Sequence, residues 1–295
     1  MKRLAIAAVV AAAALWGLMG VFVRRFSAMG LGSLETTEVR ILCGLVLLGL
    51  YLAVFHREKL RVRLRDLWCF VGTGIVSLLF FSWCYFQTMT LTSLAVAGVL
   101  LYTAPVFVML LSALLFREPI TPRKALALGM AVAGCALVSG LGSAGSLSTG
   151  GLLLGLGSGF FYALYSIFGR YAIRRGYGAW TITFYTFLFC AAGGAVLCDW
   201  GRMGQAMSAA GGQFFLWAAA MGLVTAFAAY LLYTWGLERM ESSRAAILAS
   251  VEPVVAALVG IFWFHETVSV PAVVGIVLVL GAIAVLGQGK SVNNS

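Results

Sequence analysis

The sequence predicts an all-α integral membrane protein of ten transmembrane helices, arranged as two inverted-topology five-helix repeats. Three observations lead there. Apolar residues make up 62% of the 295-residue chain and charged residues only 10%, against about 25% charged in a soluble domain. The stretch from Tyr102-Thr-Ala-Pro105 to Arg117-Glu118-Pro-Ile-Thr121 returns as Ser250-Val-Glu252-Pro253 to His265-Glu266-Thr-Val-Ser269, with proline and glutamate each recurring 148 positions on. The basic residues gather on alternate loops. An apolar run with an interior proline near one end reads as a kinked membrane helix. Two such runs at one offset read as a duplicated bundle.

Apolar runs of spanning length fall at 4–23, 34–55, 67–86, 94–116, 124–141, 150–173, 179–198, 213–236, 244–264 and 271–287. The first follows Lys2-Arg3 and passes Ala12-Ala-Ala14, which resembles a signal peptide. It continues to Val23, about 20 residues, so a retained helix is the better reading. With the N-terminus inside, sixteen of the twenty Lys and Arg residues fall on the inner side and only Arg24, Arg25, Arg40 and Arg202 on the outer. This bias predicts a multi-pass protein of the cell (inner) membrane with both termini cytoplasmic. Five helices per half is an odd number, so the second half enters from the opposite side: Glu118 falls in an inner loop, Glu266 in an outer one. Ala14-Leu15-Trp16 echoes Ala163-Leu164-Tyr165, and Tyr85 echoes Tyr233. The expected organisation is a first repeat at 1–141, a short outer loop at 142–149, a second repeat at 150–289 and a polar tail at 290–295.

The net charge of +10 follows orientation in the bilayer and is no nucleic-acid face. Loop 56–66 is the one strongly basic segment and is placed to touch anionic headgroups. The cysteines at 43, 69, 84, 135, 190 and 198 lie in or beside apolar runs with no CxxC pair, so they read as small core residues, with no metal site. Gly151, Gly155 and Gly159, four apart, predict a close helix–helix approach.

Ten helices in two inverted halves, each with a proline-led fourth helix ending in Glu before a small polar residue, together with Trp16-Gly17 and Arg40, resemble the EamA-type carriers of the drug/metabolite transporter superfamily. The resemblance spans almost the whole chain. It implies a carrier for a small metabolite, often an exporter of amino acids or related compounds. Leu18-Met19 departs from the polar residue that many such carriers place after Trp-Gly.

Charges inside the hydrocarbon are the strongest site signal, each costing about 2.5–3.5 kcal/mol on insertion scales. Glu252 falls roughly 12 Å from the cytoplasmic end of its helix at about 1.5 Å per residue, beside Pro253, which frees a backbone carbonyl. Substrate binding or proton carriage is the functional reading, and a protonated carboxyl bonded to a neighbouring helix is the structural one. Arg40 cannot shed its charge; it suits a substrate carboxylate, a structural pair with Glu38, Glu35 or a neighbouring helix end, or snorkelling to the outer interface. Trp16, Trp83, Tyr102, Tyr165 and Tyr233 are candidates to line a mostly apolar pocket. Pro105 and Pro253 are the predicted kinks. Glu118 and Glu266 are expected to brace the helix starts at Thr121 and Ser269.

With no P-loop and no cofactor motif, the sequence favours a secondary transporter that rocks one half against the other. Its partners are a small-molecule substrate, the lipid bilayer and protons as a coupling ion. A lipid or lipid-linked sugar flippase of the same fold is the alternative. An integral-membrane enzyme is disfavoured, because it would need two or more polar catalytic groups at one depth, and the deep charges Glu252 and Arg40 fall on opposite sides of the midplane.

Overall fold

A chain this apolar must satisfy its backbone within its own segments, since lipid offers no partner to a free N–H or C=O. In the computed structural model, residues 2–92, 94–139, 148–265 and 269–287 are described, and among them the chain is helical with no strand. The long segments are α1 (Arg3–Ala28), α2 (Ser33–Phe55), α3 (Leu64–Leu91), α4 (Val96–Phe116), α5 (Pro122–Val138), α6 (Thr149–Arg174), α7 (Ala179–Leu197), α8 (Gly212–Leu237), α9 (Ser242–Phe264) and α10 (Val270–Gly287). Eight of them are long and apolar enough to cross a membrane; α10 is a shorter apolar helix and α5 runs 17 residues. These two pack side by side. A Cβ at Gly134 would lie 2.7 Å from the Gly275 carbonyl oxygen, and one at Gly275 would lie 2.6 Å from that of Gly134, so only glycine permits the contact.

The most extensive pairings join one half of the chain to the other. Helix α1 packs on α8 and α9, and the corresponding α6 packs on α3 and α4; α2 lies on α8 as α7 lies on α3. The pairs α2–α7, α4–α9 and α5–α10 map onto themselves under the same exchange of halves. Backbone irregularities repeat too. Both α3 and α8 contain a π-helical stretch, at Gly72–Leu79 and Gly222–Ala228. Arg117 and His265, 148 apart, both end their helices in the left-handed conformation at φ 57° and 55°. The prolines act at helix starts. Each fourth helix breaks just before its proline, at Tyr102–Thr103 and Ser250–Val251, and restarts at Ala104 and Glu252. Proline belongs in a first turn because its missing N–H would have no intrahelical partner there anyway.

Several expectations are corrected. Helix α1 runs through Arg24 and Arg25 to Ala28, with a single turn loosened at Leu18. Between α7 and α8 lies an unforeseen helix, Trp200–Ala210, started by the Asp199 side chain accepting from the Arg202 N–H and seated by Met203 and Ala206 on Phe22, Phe26 and Phe214. Glu118 does not brace Thr121, which caps α5 by itself; it reaches across to α9. Most of the 142–149 loop, Glu266 and the 290–295 tail lie outside the described residues.

The glycine stripe of α6 behaves as its spacing predicts: a Cβ at Gly159 would meet the Leu100 carbonyl oxygen at 2.9 Å, so α6 lies directly on α4. The six cysteines are free thiols, four of them buried.

Candidate functional site

A cavity of about 310 Å³ opens between the halves. On α2, Ser33, Thr36, Thr37 and Arg40 share one helical face at spacings of three and four and form its polar wall. Helix α3 contributes Phe81, Ser82 and Tyr85, α1 contributes Trp16 and Met19, and the break in α4 contributes Tyr102. The second half supplies Tyr162, Tyr230 and Glu252.

Glu252 stands in the first turn of the restarted segment of α9, where the free N–H groups and the helix dipole favour an acid. The close approach of α1 holds it there: a Cβ at Gly17 would lie 2.8 Å from the Glu252 carbonyl oxygen and 2.7 Å from Val255 Cβ. Tyr162 lines the chamber beside it. Carbonyls freed at the same break find an unusual donor, for Cys135 Sγ lies 3.8 Å from the Ser250 oxygen. Arg40 is buried; it donates to Met19 Sδ at 3.8 Å and shares the chamber lining with Tyr230, while its Nε has no partner among the described residues. Of the readings open to Arg40, the pair with Glu35 or Glu38 on α2 does not form. Glu35 accepts from the Asp199 N–H at 3.4 Å, and Glu38 faces α7 at Gly194. These two acids project from other faces of the helix. A buried guanidinium with an open donor and a carboxyl therefore share one chamber, with no ion pair between them.

Aromatic rings close the inner end of the chamber. Trp16 donates its indole N–H to the Thr225 carbonyl at 3.1 Å, within the π-helical stretch of α8. Its ring meets Tyr230 edge-on at 5.1 Å and Tyr233 at 5.3 Å, and Tyr165 meets Tyr230 at 5.4 Å. Such offset contacts favour one packed arrangement. A pocket of about 20 Å³, room for roughly one water, lies among them. Beyond it, the hydroxyls of Tyr165 and Thr234 pair at 2.6 Å and those of Ser166 and Tyr233 at 2.8 Å.

Further along, a polar latch crosses between the halves. The Glu118 carboxylate accepts from the Ser242 N–H at 2.8 Å, the Ser243 N–H at 3.2 Å and the Ser243 hydroxyl at 2.7 Å. This caps the start of α9 with charge of the favourable sign. Arg170 donates to Ser242 Oγ at 3.0 Å and to the Met240 carbonyl, and Lys124 pairs with Glu241 at 2.6 Å. The chamber is thus open at one end and shut at the other by rings and then by charges.

Residues 3–140 and 149–288 each match the EamA-like transporter family. The chain belongs to that family. An uncharacterized transporter of Archaeoglobus fulgidus is 31% identical over 287 residues, 95% of this chain and 94% of its own. The uncharacterized transporter YxxF of Bacillus subtilis is 25% identical over 298 residues, 98% of this chain and 92% of its own. A crystal structure of a protein 21% identical shares the fold, with a TM-score of 0.76 over 95% of both chains.

Within this EamA fold, Glu252, Arg40, Trp16 and Tyr102 come together in the chamber, while Tyr165 and Tyr233 stand in the ring layer beneath it. Trp83 joins neither; it is 40% exposed on the outside of the bundle. The sequence reading passed over Tyr162, Tyr230, Thr36 and Thr37. The two tyrosines carried no signal apart from many other aromatics, but the seryl and threonyl spacing ahead of Arg40 did.

Proposed function

We propose that this EamA protein is a secondary active transporter that moves a small organic metabolite, an amino acid or related compound, by alternating access between its two halves. The observation that carries the reading is the interfacial chamber holding Arg40 and Glu252, open at one end and latched at the other. Arg40 supplies a fork for a carboxylate and Glu252 a counter-charge for an ammonium or a site for a proton. The aromatic walls supply apolar contact. In this reading the ten helices form inverted repeats in the cell membrane, both termini are cytoplasmic, and the latched end at Glu118 faces the cytoplasm. That orientation rests on the loop charge bias. Efflux is the direction that the family resemblance suggests, with protons as the coupling ion.

The test is solute flux in proteoliposomes, by counterflow of amino acids, with Glu252→Gln. The amide keeps the shape and cannot ionise. Folding should persist, judged by a monodisperse peak in detergent, while flux falls by more than about tenfold, equivalent to about 1.4 kcal/mol. Near-normal flux with an unaltered pH profile would reduce Glu252 to scaffolding.

A further inference from the structure

The α2–α3 loop of the first half and the α6–α7 loop of the second enclose a cleft of about 540 Å³ at the latched end of the bundle. Its frame is fixed by bonds between the halves. Thr181 Oγ1 donates to the Lys59 carbonyl at 2.8 Å and the Tyr185 hydroxyl to that of Leu60 at 2.7 Å. The Arg63 N–H donates to the Tyr177 oxygen at 3.1 Å, and the Tyr177 hydroxyl donates to Asp66 at 2.8 Å. Asp66 also takes the Arg175 guanidinium, so that cation is already neutralised.

Three cations remain on the cleft wall. Lys59, Arg61 and Arg63 are not fully buried and make no ion pair among the described residues. Glu58 is the one acid among the lining residues. Its carboxyl is held below the usual carboxylate range, first by its own backbone N–H and also by His56, whose Nδ1 stands 3.2 Å away. Lys59 also lies near enough to act on it, but one acid against three cations leaves the wall a net positive charge. Three like charges lining one cleft repel one another unless an anion enters. Apolar surface adjoins it in the chain: Phe55 is 66% exposed, Leu64 84% and Trp68 41%. Phosphate-binding chemistry thus sits directly beside surface suited to acyl chains, at the depth where headgroups lie.

We infer that this cleft binds the phosphate of an anionic phospholipid, with Lys59, Arg61 and Arg63 around the headgroup and the chains running along Leu64 and Trp68. Because the two walls belong to opposite halves, an occupied cleft ties the halves together at this end. The assignment does not depend on which solute is carried. Free phosphate shares the headgroup chemistry and is the competing source.

The test uses the purified full-length protein and native mass spectrometry, titrating phosphatidylglycerol against phosphatidylcholine. A triple variant, Lys59→Gln with Arg61→Gln and Arg63→Gln, should lower phosphatidylglycerol retention at least roughly tenfold, since each basic residue beside an anionic headgroup contributes about fivefold. Its melting temperature in phosphatidylcholine alone should stay within a few degrees of the parent, because the three side chains make no hydrogen bond or ion pair among the described residues and Lys59 alone makes a ring contact, at 5.8 Å from Trp180. Arg117→Gln with Arg123→Gln, which removes charge elsewhere on the same face, should leave retention unchanged. Equal loss in that control would reduce the effect to diffuse surface charge and overturn the site. So would unchanged retention in the triple variant. If millimolar inorganic phosphate displaces phosphatidylglycerol and raises the melting temperature to the same degree, the ligand is a free anion and the lipid assignment fails.

Discussion

Arg40 and Glu252 are the two residues whose chemistry cannot be hidden in a bundle of apolar helices. A buried guanidinium keeps its charge and needs acceptors; here it has a thioether and a partnerless Nε beside the chamber it lines. Arg40→Lys keeps the charge but removes the planar fork, so recognition of a substrate carboxylate should weaken while folding persists. The expected outcome is a rise of about tenfold in KM for flux, with the melting temperature within a few degrees of the parent. An unchanged KM would assign Arg40 to scaffolding. Both residues were legible in the sequence because a charge in an apolar run stands out against its insertion cost. Tyr162 and Tyr230 were not, since aromatic side chains serve packing throughout such a bundle and only the fold tells which ones face the chamber.

The broken helix α9 is the element that brings Glu252 into play, and α1 is what holds it. Trp16 anchors α1 on the π-helical stretch of α8, and Gly17 beside it lets α1 touch the backbone of the break. A valine at Gly17 would place its side chain where Val255 and the Glu252 carbonyl already stand. We expect Gly17→Val to destabilise the fold by about 1–3 kcal/mol, as overpacking commonly does, read as a lower melting temperature in detergent. Gly20→Val, one turn on and with no atom within 4 Å of its Cβ position, should cost far less and serves as the control. Equal losses would show that general helix propensity, and no specific contact, sets the effect. The prolines at 105 and 253 marked these elements in the sequence. Their placement at restarts, directly after a break, was not readable there, and at the second break one freed carbonyl meets Cys135 from a distant helix. The helix Trp200–Ala210 escaped notice because Gly201 and Gly204 interrupt it and only its Met203–Ala206 edge is apolar and buried.

At the scale of the whole molecule, the pairings that exchange under interchange of halves follow from the repeat, which a fixed 148-residue offset already disclosed. The latch did not follow from it. Glu118 was visible as a repeated acid, yet its partners at Ser242 and Ser243 lie 124 and 125 positions away in the chain, a separation no local pattern reveals. If the open end faces outward, accessibility should separate the two faces of the molecule. The background is Cys43→Ser with Cys198→Ser, which removes the two thiols that are not buried. In intact cells an impermeant maleimide should label Gly204→Cys on the surface helix and Met89→Cys at the chamber wall, and should miss Arg61→Cys until the membrane is permeabilised. Labelling of Arg61→Cys from outside would overturn the orientation. Adding Glu118→Gln removes the charge that caps α9, an interaction worth about 0.3–1 kcal/mol. By linkage it should move the population toward the state open at the other end by up to about fivefold. Met89→Cys should then label more slowly while Gly204→Cys is unaffected, because the first reports the state of the chamber and the second only its side of the membrane. An unchanged Met89→Cys rate would mean that the latch is not what holds the chamber shut.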